Sequence, residues 1–187
     1  MRKSSVLALV ICLLPLCSFA DIMVAAHDVV VGGPGNTGNV FLTVSGLGNF
    51  VSPHLGAFDL ELTFDPSIIA LNQVNFLDQL GDPPLGAVEG ASMLNATTVE
   101  LFEVSLLPDL SFQPDHFSLA YLTFTALAQG TSPLDVSLVA LGDENGNPLS
   151  ATVQNASFQV MPEPASLLLL GSCLGALTGA FLRRRLA

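Results

Sequence analysis

The chain predicts an all-β domain, a sandwich or jelly roll, held between two apolar ends. Three observations carry that expectation. Short apolar runs of strand length recur along the body, turn residues interrupt them roughly every ten residues, and no body segment has the period of an amphipathic helix. Taken in order, residues 29–31 and 40–44 are strands flanking the loop Gly32-Gly33-Pro34-Gly35-Asn36. Residues 58–65 form the clearest strand: Phe58, Leu60, Leu62 and Phe64 alternate with Asp59, Glu61, Thr63 and Asp65. Period-two alternation puts the first set on a core face and the acids in water. Pro66 then ends the strand, because it cannot donate to the ladder and restricts the residue before it. Residues 68–76 and 98–106 are the next strands. Residues 117–128 are apolar on both phases, as in a central strand, and a change of phase near Tyr121 predicts a bulge. Residues 134–141 and 151–160 complete the set, joined by the turn-rich stretch Gly142-Asp143-Glu144-Asn145-Gly146-Asn147-Pro148.

Charge separates the body from the ends. All five basic residues, Arg2, Lys3, Arg183, Arg184 and Arg185, lie in the ends, and of sixteen acids only Glu163 does. Residues 21–161 therefore carry fifteen carboxylates and neither Lys nor Arg. No side-chain salt bridge can form there except through a protonated His27, His54 or His116. Binding to a nucleic-acid backbone is disfavoured, since it needs a cationic surface. The folded state works against its own repulsion, which salt screens. Cys12, Cys17 and Cys173 also sit in the ends, so the body has no disulfide and no thiolate metal site. Its stability rests on its core.

The ends read as targeting segments. Arg2-Lys3, the apolar run 6–16 and Ser18-Phe19-Ala20 make residues 1–20 a secretory signal peptide cut after Ala20. Cys17 follows Leu14-Pro15-Leu16, which lacks the small residue of a lipobox, so it is not read as a lipidation site. At the other end, Pro162-Glu163-Pro164 precedes eighteen uncharged residues, 165–182, and then Arg183-Arg184-Arg185. Eighteen helical residues rise about 27 Å, close to the hydrocarbon thickness of a bilayer. The arginines hold the cytoplasmic side and put the body outside. Gly171, Gly175 and Gly179 line one face of that span, as small residues often do in membranes.

This order of triplet, span and basic stop resembles the PEP-CTERM sorting tail of Gram-negative bacteria. The resemblance implies Pro162, Glu163, Pro164, Arg183, Arg184 and Arg185 as the sorting signal. It implies an exosortase-type processing enzyme that cuts near the triplet, with a transient inner-membrane anchor before the cell surface or exterior is reached. A tail anchor that is never cut is the plainer alternative. The division expected is 1–20 signal peptide, 21–161 sandwich, and 162–187 sorting and transmembrane segment.

The body resembles the cohesin domain along residues 56–67, with Phe58-Asp59-Leu60-Glu61-Leu62 followed by Asp65-Pro66-Ser67. Residues 117–133, ending in Gly130-Thr131-Ser132-Pro133, and 143–160, with Val153-Gln154-Asn155, are also similar to that family. The resemblance implies a cohesin-like jelly-roll β-sandwich of about nine strands, related to carbohydrate-binding modules. In cohesins proper one sheet face docks a dockerin.

Candidate chemistry is sparse. Asp59 and Glu61 share a strand face about 7 Å apart, a spacing compatible with inverting glycoside hydrolysis, but alternating acids are what any solvent face of an acidic strand shows. His27, His54 and His116 are scattered; His27-Asp28 and Asp115-His116 are neighbours only in sequence. No serine stands in a nucleophile elbow. No catalytic or cofactor-binding residue is assigned. Asp143, Asn145 and Asn147 alternate like the first ligands of a calcium loop, yet Pro148 and Gln154 stand where that pattern needs Gly and Glu. A hairpin turn is the reading, and no metal site is assigned. With no Trp, one Tyr and ten body Phe mostly in core phase, a strong sugar-stacking platform is not expected. The matches Asn95-Ala96-Thr97 and Asn155-Ala156-Ser157 to acceptor sequons are read as incidental.

The expected function is a non-catalytic exported surface or extracellular-matrix protein that binds a surface protein or exopolysaccharide. The alternative is a carbohydrate-binding module of extracellular polysaccharide degradation. No nucleic-acid partner is expected.

Overall fold

The computed structural model describes residues 21–162; the segment 1–20 and the tail 163–187 lie outside the described residues. Eleven strands fold into two packed sheets, with no helix among the described residues. They are β1 (Ile22–Ala26), β2 (Val29–Val31), β3 (Thr37–Ser45), β4 (Leu55–Thr63), β5 (Ile69–Phe76), β6 (Ala87–Met93), β7 (Thr98–Ser105), β8 (His116–Ala126), β9 (Gly130–Asp143), β10 (Ala151–Gln154) and β11 (Ala156–Val160). One sheet has five strands in the order β10-β1-β3-β8-β5, and the other has six in the order β2-β11-β9-β4-β7-β6.

The alternation in β4 does what it predicts. Phe58, Leu60 and Leu62 are buried between the sheets, while Asp59 and Glu61 lie on the outer face. Phe64, just past the strand, is also buried. The two sheets meet over a continuous core in which Phe124 of β8 packs edge-on against Phe64 (5.1 Å between ring centroids) and Phe158 of β11 (6.1 Å). Phe58 and Phe76 stack across the sandwich at 6.3 Å.

Several strand expectations need correction. Residues 151–160 are not one strand: β10 pairs in parallel with β1 in the five-stranded sheet, whereas β11 pairs with β9 and β2 in the other. Asn155 makes that crossing. Its Oδ1 accepts the Val136 N–H at 3.0 Å and its Nδ2 donates to Asp135 at 3.0 Å, which pins the chain where it leaves one sheet for the other. The amino-terminal segment divides the same way. Asp28, between β1 and β2, accepts the Ser157 N–H (2.7 Å) and Oγ–H (2.9 Å). Counting each divided segment once recovers nine strands.

β8 is not apolar on both faces. It lies between β3 and the edge strand β5, and its outer residues Ser118, Tyr121, Thr123 and Thr125 are half-buried. The bulge sits at Leu119, where the pairing with β3 jumps from Thr43↔Ser118 to Leu42↔Ala120, so Leu119 and Ala120 both point inward. Of the ten body phenylalanines, Phe58, Phe64, Phe117, Phe124 and Phe158 are buried and Phe76 packs against the core, whereas Phe41, Phe50, Phe102 and Phe112 are exposed.

Candidate binding surface

The outer face of the six-stranded sheet brings together apolar residues that a solvent face normally lacks. In register across β6, β7, β4 and β9 lie Val88↔Val104↔Ala57↔Gly142 and, one step along, Gly90↔Phe102↔Asp59↔Ala140. Val88, Phe102 and Val104 are 50%, 38% and 43% exposed. Gly90 leaves room for the Phe102 ring, since a Cβ on it would lie 2.7 Å from that ring. Phe102, Val104, Ala57, Ala140 and Pro148 line an apolar depression of about 440 Å³, with Asp59 also in its lining.

Asp59 is the polar exception within that depression. Its Oδ1 is buried and has no hydrogen-bond partner. Burial, and secondarily the charge of Glu100, pushes its carboxyl above the ordinary carboxylate range. Glu61, the other acid of the sequence pair, lies one pairing further on, between Glu100 and Ser137. The face is thus apolar toward the β9–β10 turn and acidic toward Glu61 and Glu100. An unpartnered carboxylate among exposed valines and a phenylalanine can bind a ligand that brings apolar groups around one hydrogen-bond donor.

The turn beside this face is held from within. The Asp143 carboxylate accepts the N–H groups of Asn145 and Asn147, both at 2.8 Å, and the Asn147 amide at 2.9 Å. That side-chain bond from Asn147, helped by the backbone ones, lowers the Asp143 pKa. The same geometry makes the stretch an Asx-type turn, with Gly146 at φ 79° closing it. The neighbouring Glu144 reaches back across the fold to the Ser52 hydroxyl (2.7 Å) and the His54 N–H (2.9 Å), and His54 Nδ1 lies 3.7 Å from it.

The other expected sites scatter. His27 and His116 are exposed, whereas His54 is buried. Among the described residues no three His, Cys, Asp or Glu side chains are grouped closely enough to hold a metal ion. Of the expected sorting signal, Pro162 is the last described residue and is exposed; Glu163, Pro164, Arg183, Arg184 and Arg185 lie outside the described residues. Val88, Phe102 and Val104 were not singled out in the sequence, although the second apolar phase of residues 98–106 was the signal for Phe102 and Val104.

No family model matches the chain, and no curated protein does either. The fold, in contrast, has clear counterparts among solved structures. The sixth cohesin of scaffoldin B from Acetivibrio cellulolyticus, solved in complex with a Cel5 dockerin mutant, superposes with a TM-score of 0.65 at 16% identity, over 76% of this chain and all of that one. A non-cellulosomal cohesin from the hyperthermophilic archaeon Archaeoglobus fulgidus gives 0.61 at 14% identity, over 79% and 96%. The cohesin CaCohA2 from Clostridium acetobutylicum gives 0.59 at 21% identity, over 75% and 91%. At these identities the likeness is one of fold: the described domain is a cohesin-like β-sandwich.

Proposed function

We propose that this domain is a non-catalytic protein-binding module of the cell exterior, whose partner docks on the outer face of β6, β7, β4 and β9. The observation that carries the reading is the exposed strip Val88, Val104 and Phe102 around the unpartnered Asp59. Exposed apolar groups on two paired strands, beside a polar residue, have the make-up of a docking patch. The fold adds support, because cohesins of the same architecture have been solved with dockerins bound. Charge narrows the partner. A domain with fifteen carboxylates and no Lys or Arg attracts a basic surface, and Asp59 favours a lysine, arginine or hydroxyl at the centre of the contact.

The test uses the full-length protein, immobilised in neutral detergent and exposed to envelope and secreted fractions of the source cell. A captured partner is expected to bind about tenfold more weakly to Asp59→Asn. Val104→Lys, which meets a basic partner with bulk and charge, is expected to weaken it about a hundredfold. A variant on the opposite sheet, Phe41→Ala, is expected to leave that affinity unchanged. Equal binding by wild type and Val104→Lys discards this face.

Delivery is the second part of the reading. The ends support export through a signal peptide, a transient inner-membrane anchor and release by an exosortase-type enzyme. Mass spectrometry of the cell-surface and secreted fractions is expected to find a species lacking residues 1–20 and the span after Pro162-Glu163-Pro164. A species that retains the span, wherever found, restores the plain anchor.

A further inference from the structure

Carboxylates are distributed unevenly between the two sheets. Asp59, Glu61, Glu89, Glu100, Glu103, Asp135 and Asp143 all belong to strands of the six-stranded sheet. The five strands of the other sheet contain no Asp or Glu at all. In a domain this acidic, an entire sheet without a carboxylate is a surface of a different kind, and its outer face has a distinct composition.

Two rows cross that face in register. Phe41 of β3 lies opposite Tyr121 of β8, which lies opposite Asn75 of β5; beside it run Asn39, Thr123 and Gln73. Phe41 is 41% exposed, and its ring lies 5.6 Å from that of Tyr121 with 38° between the planes. The amides around the rings are held in place. Thr123 donates its hydroxyl to Asn39 Oδ1 at 2.9 Å, Gln73 Nε2 donates to Asn75 Oδ1 at 2.7 Å, and Asn72 Nδ2 donates to Thr125 at 2.6 Å. Each of those amides keeps further donor and acceptor capacity toward solvent. Neighbouring strands lie about 4.8 Å apart, so three of them present a row roughly 10 Å across, comparable to a disaccharide.

We propose that the outer face of β3, β8 and β5 is a binding platform for a neutral polysaccharide. A pyranose ring has an apolar C–H face that lies on an aromatic ring and hydroxyls at its rim that pair with amides. Phe41 and Tyr121 supply the first and Asn39, Asn75 and Gln73 the second. The absence of carboxylate from the sheet selects the class. A neutral chain meets no carboxylate on this face, whereas an anionic polymer approaches a strongly negative domain with no Lys or Arg among the described residues to receive it. The same repulsion disfavours a second copy of the chain. A docked protein fits less well, because apart from Phe41 the outer residues of these three strands are polar, small or half-buried.

This platform lies on the opposite sheet from the protein-docking face, so the two readings stand or fall separately. Affinity electrophoresis of the full-length protein in neutral detergent tests it, with galactomannan, xyloglucan or mixed-linkage β-glucan in the gel and alginate as the anionic comparison. At least one neutral polymer is expected to retard the wild type, while alginate does not. Phe41→Ala and the double variant Asn75→Ala with Gln73→Ala are expected to lose at least tenfold in apparent affinity, each with a native melting temperature. Val104→Lys, on the other sheet, is expected to be retarded like the wild type. The proposal is overturned if no neutral polymer retards the protein, if alginate alone does, or if folded Phe41→Ala binds as the wild type does.

Discussion

Between pH 5 and pH 8 the domain is expected to become less stable by on the order of 4 kcal/mol, and the Glu103→Gln variant to lose most of that slope. Glu103 is fully buried on the inner face of β7, and neither of its carboxyl oxygens has a hydrogen-bond partner. Glu89 lies directly across from it on β6, and the charge of Asp82, in the loop before β6, also reaches it. No Lys or Arg exists among the described residues to answer these charges. Burial first, and then Glu89 and Asp82, push the Glu103 carboxyl up to about 8.

The sign follows from linkage. Below the ordinary glutamate range the group is protonated whether the chain is folded or not, and it has no effect. As pH rises, the unfolded chain releases the proton while the folded chain retains it, so stability falls until the folded group also ionises near pH 8. Urea unfolding of wild type and variant from pH 5 to pH 9 checks this. The curves are expected to separate as pH rises, with Glu103→Gln the more stable at the alkaline end. Parallel curves would mean that Glu103 has found a partner or water. Where the strain is relieved also follows from topology: β6 is an edge strand paired with β7 alone, so alkaline pH is expected to open that edge first.

Glu103 also marks the limit of what the sequence could disclose. β4 is legible because its apolar and acidic residues fall cleanly into opposite phases. In β7 each phase contains one glutamate, Glu100 with Phe102 and Val104, and Glu103 with Val99 and Leu101. Hydropathy alone therefore cannot say which phase is core. The opposite sheet decides: the Val99–Leu101 side joins the core between the two sheets, and Phe102 and Val104 are left outside. The docking face was hidden for that reason, although Asp59 was legible as a residue of interest. β6, Ala-Val-Glu-Gly-Ala-Ser-Met, has too few large apolar residues to read as a strand, and it is held by its pairing with β7 along its length. β1 is apolar enough, but it follows directly on the signal-peptide run. Division of the terminal segments between sheets depends on Asp28 and Asn155, whose partners are more than a hundred residues away in one case and nineteen or twenty in the other. The neutral platform was missed because Phe41 falls within a strand whose alternate residues are core, and only pairing with Tyr121 reveals that both face outward.

Replacing Gln113 with leucine is expected to destabilise the domain by about 3–4 kcal/mol, more than a buried polar-to-apolar exchange of similar volume would suggest. Gln113 lies in the loop before β8 and is fully buried. Its Oε1 accepts the Leu55 N–H at 2.7 Å, and its Nε2 donates to the carbonyls of Leu55 (2.9 Å) and Gln79 (3.2 Å). Leu55 begins β4, two residues before the pairing with β7 starts at Ala57, and β4 bulges between those residues, where a Cβ on Gly56 would collide with the Asp143 carbonyl. The Gln113 amide therefore serves Leu55 as a neighbouring peptide group does in a ladder, where no strand is present to supply one. Removing it leaves one donor and two acceptors without partners, each worth roughly 1–3 kcal/mol when sealed from water. Urea unfolding should show a lower midpoint with an unchanged slope, and amide exchange should show early loss of protection at Leu55. Gln113→Ala, which leaves room for water to replace the amide, is expected to cost less at Leu55 than its loss of volume implies. If Gln113→Leu shifts stability by less than about 0.5 kcal/mol, the start of β4 is held by its pairing with β9 and not by this side chain.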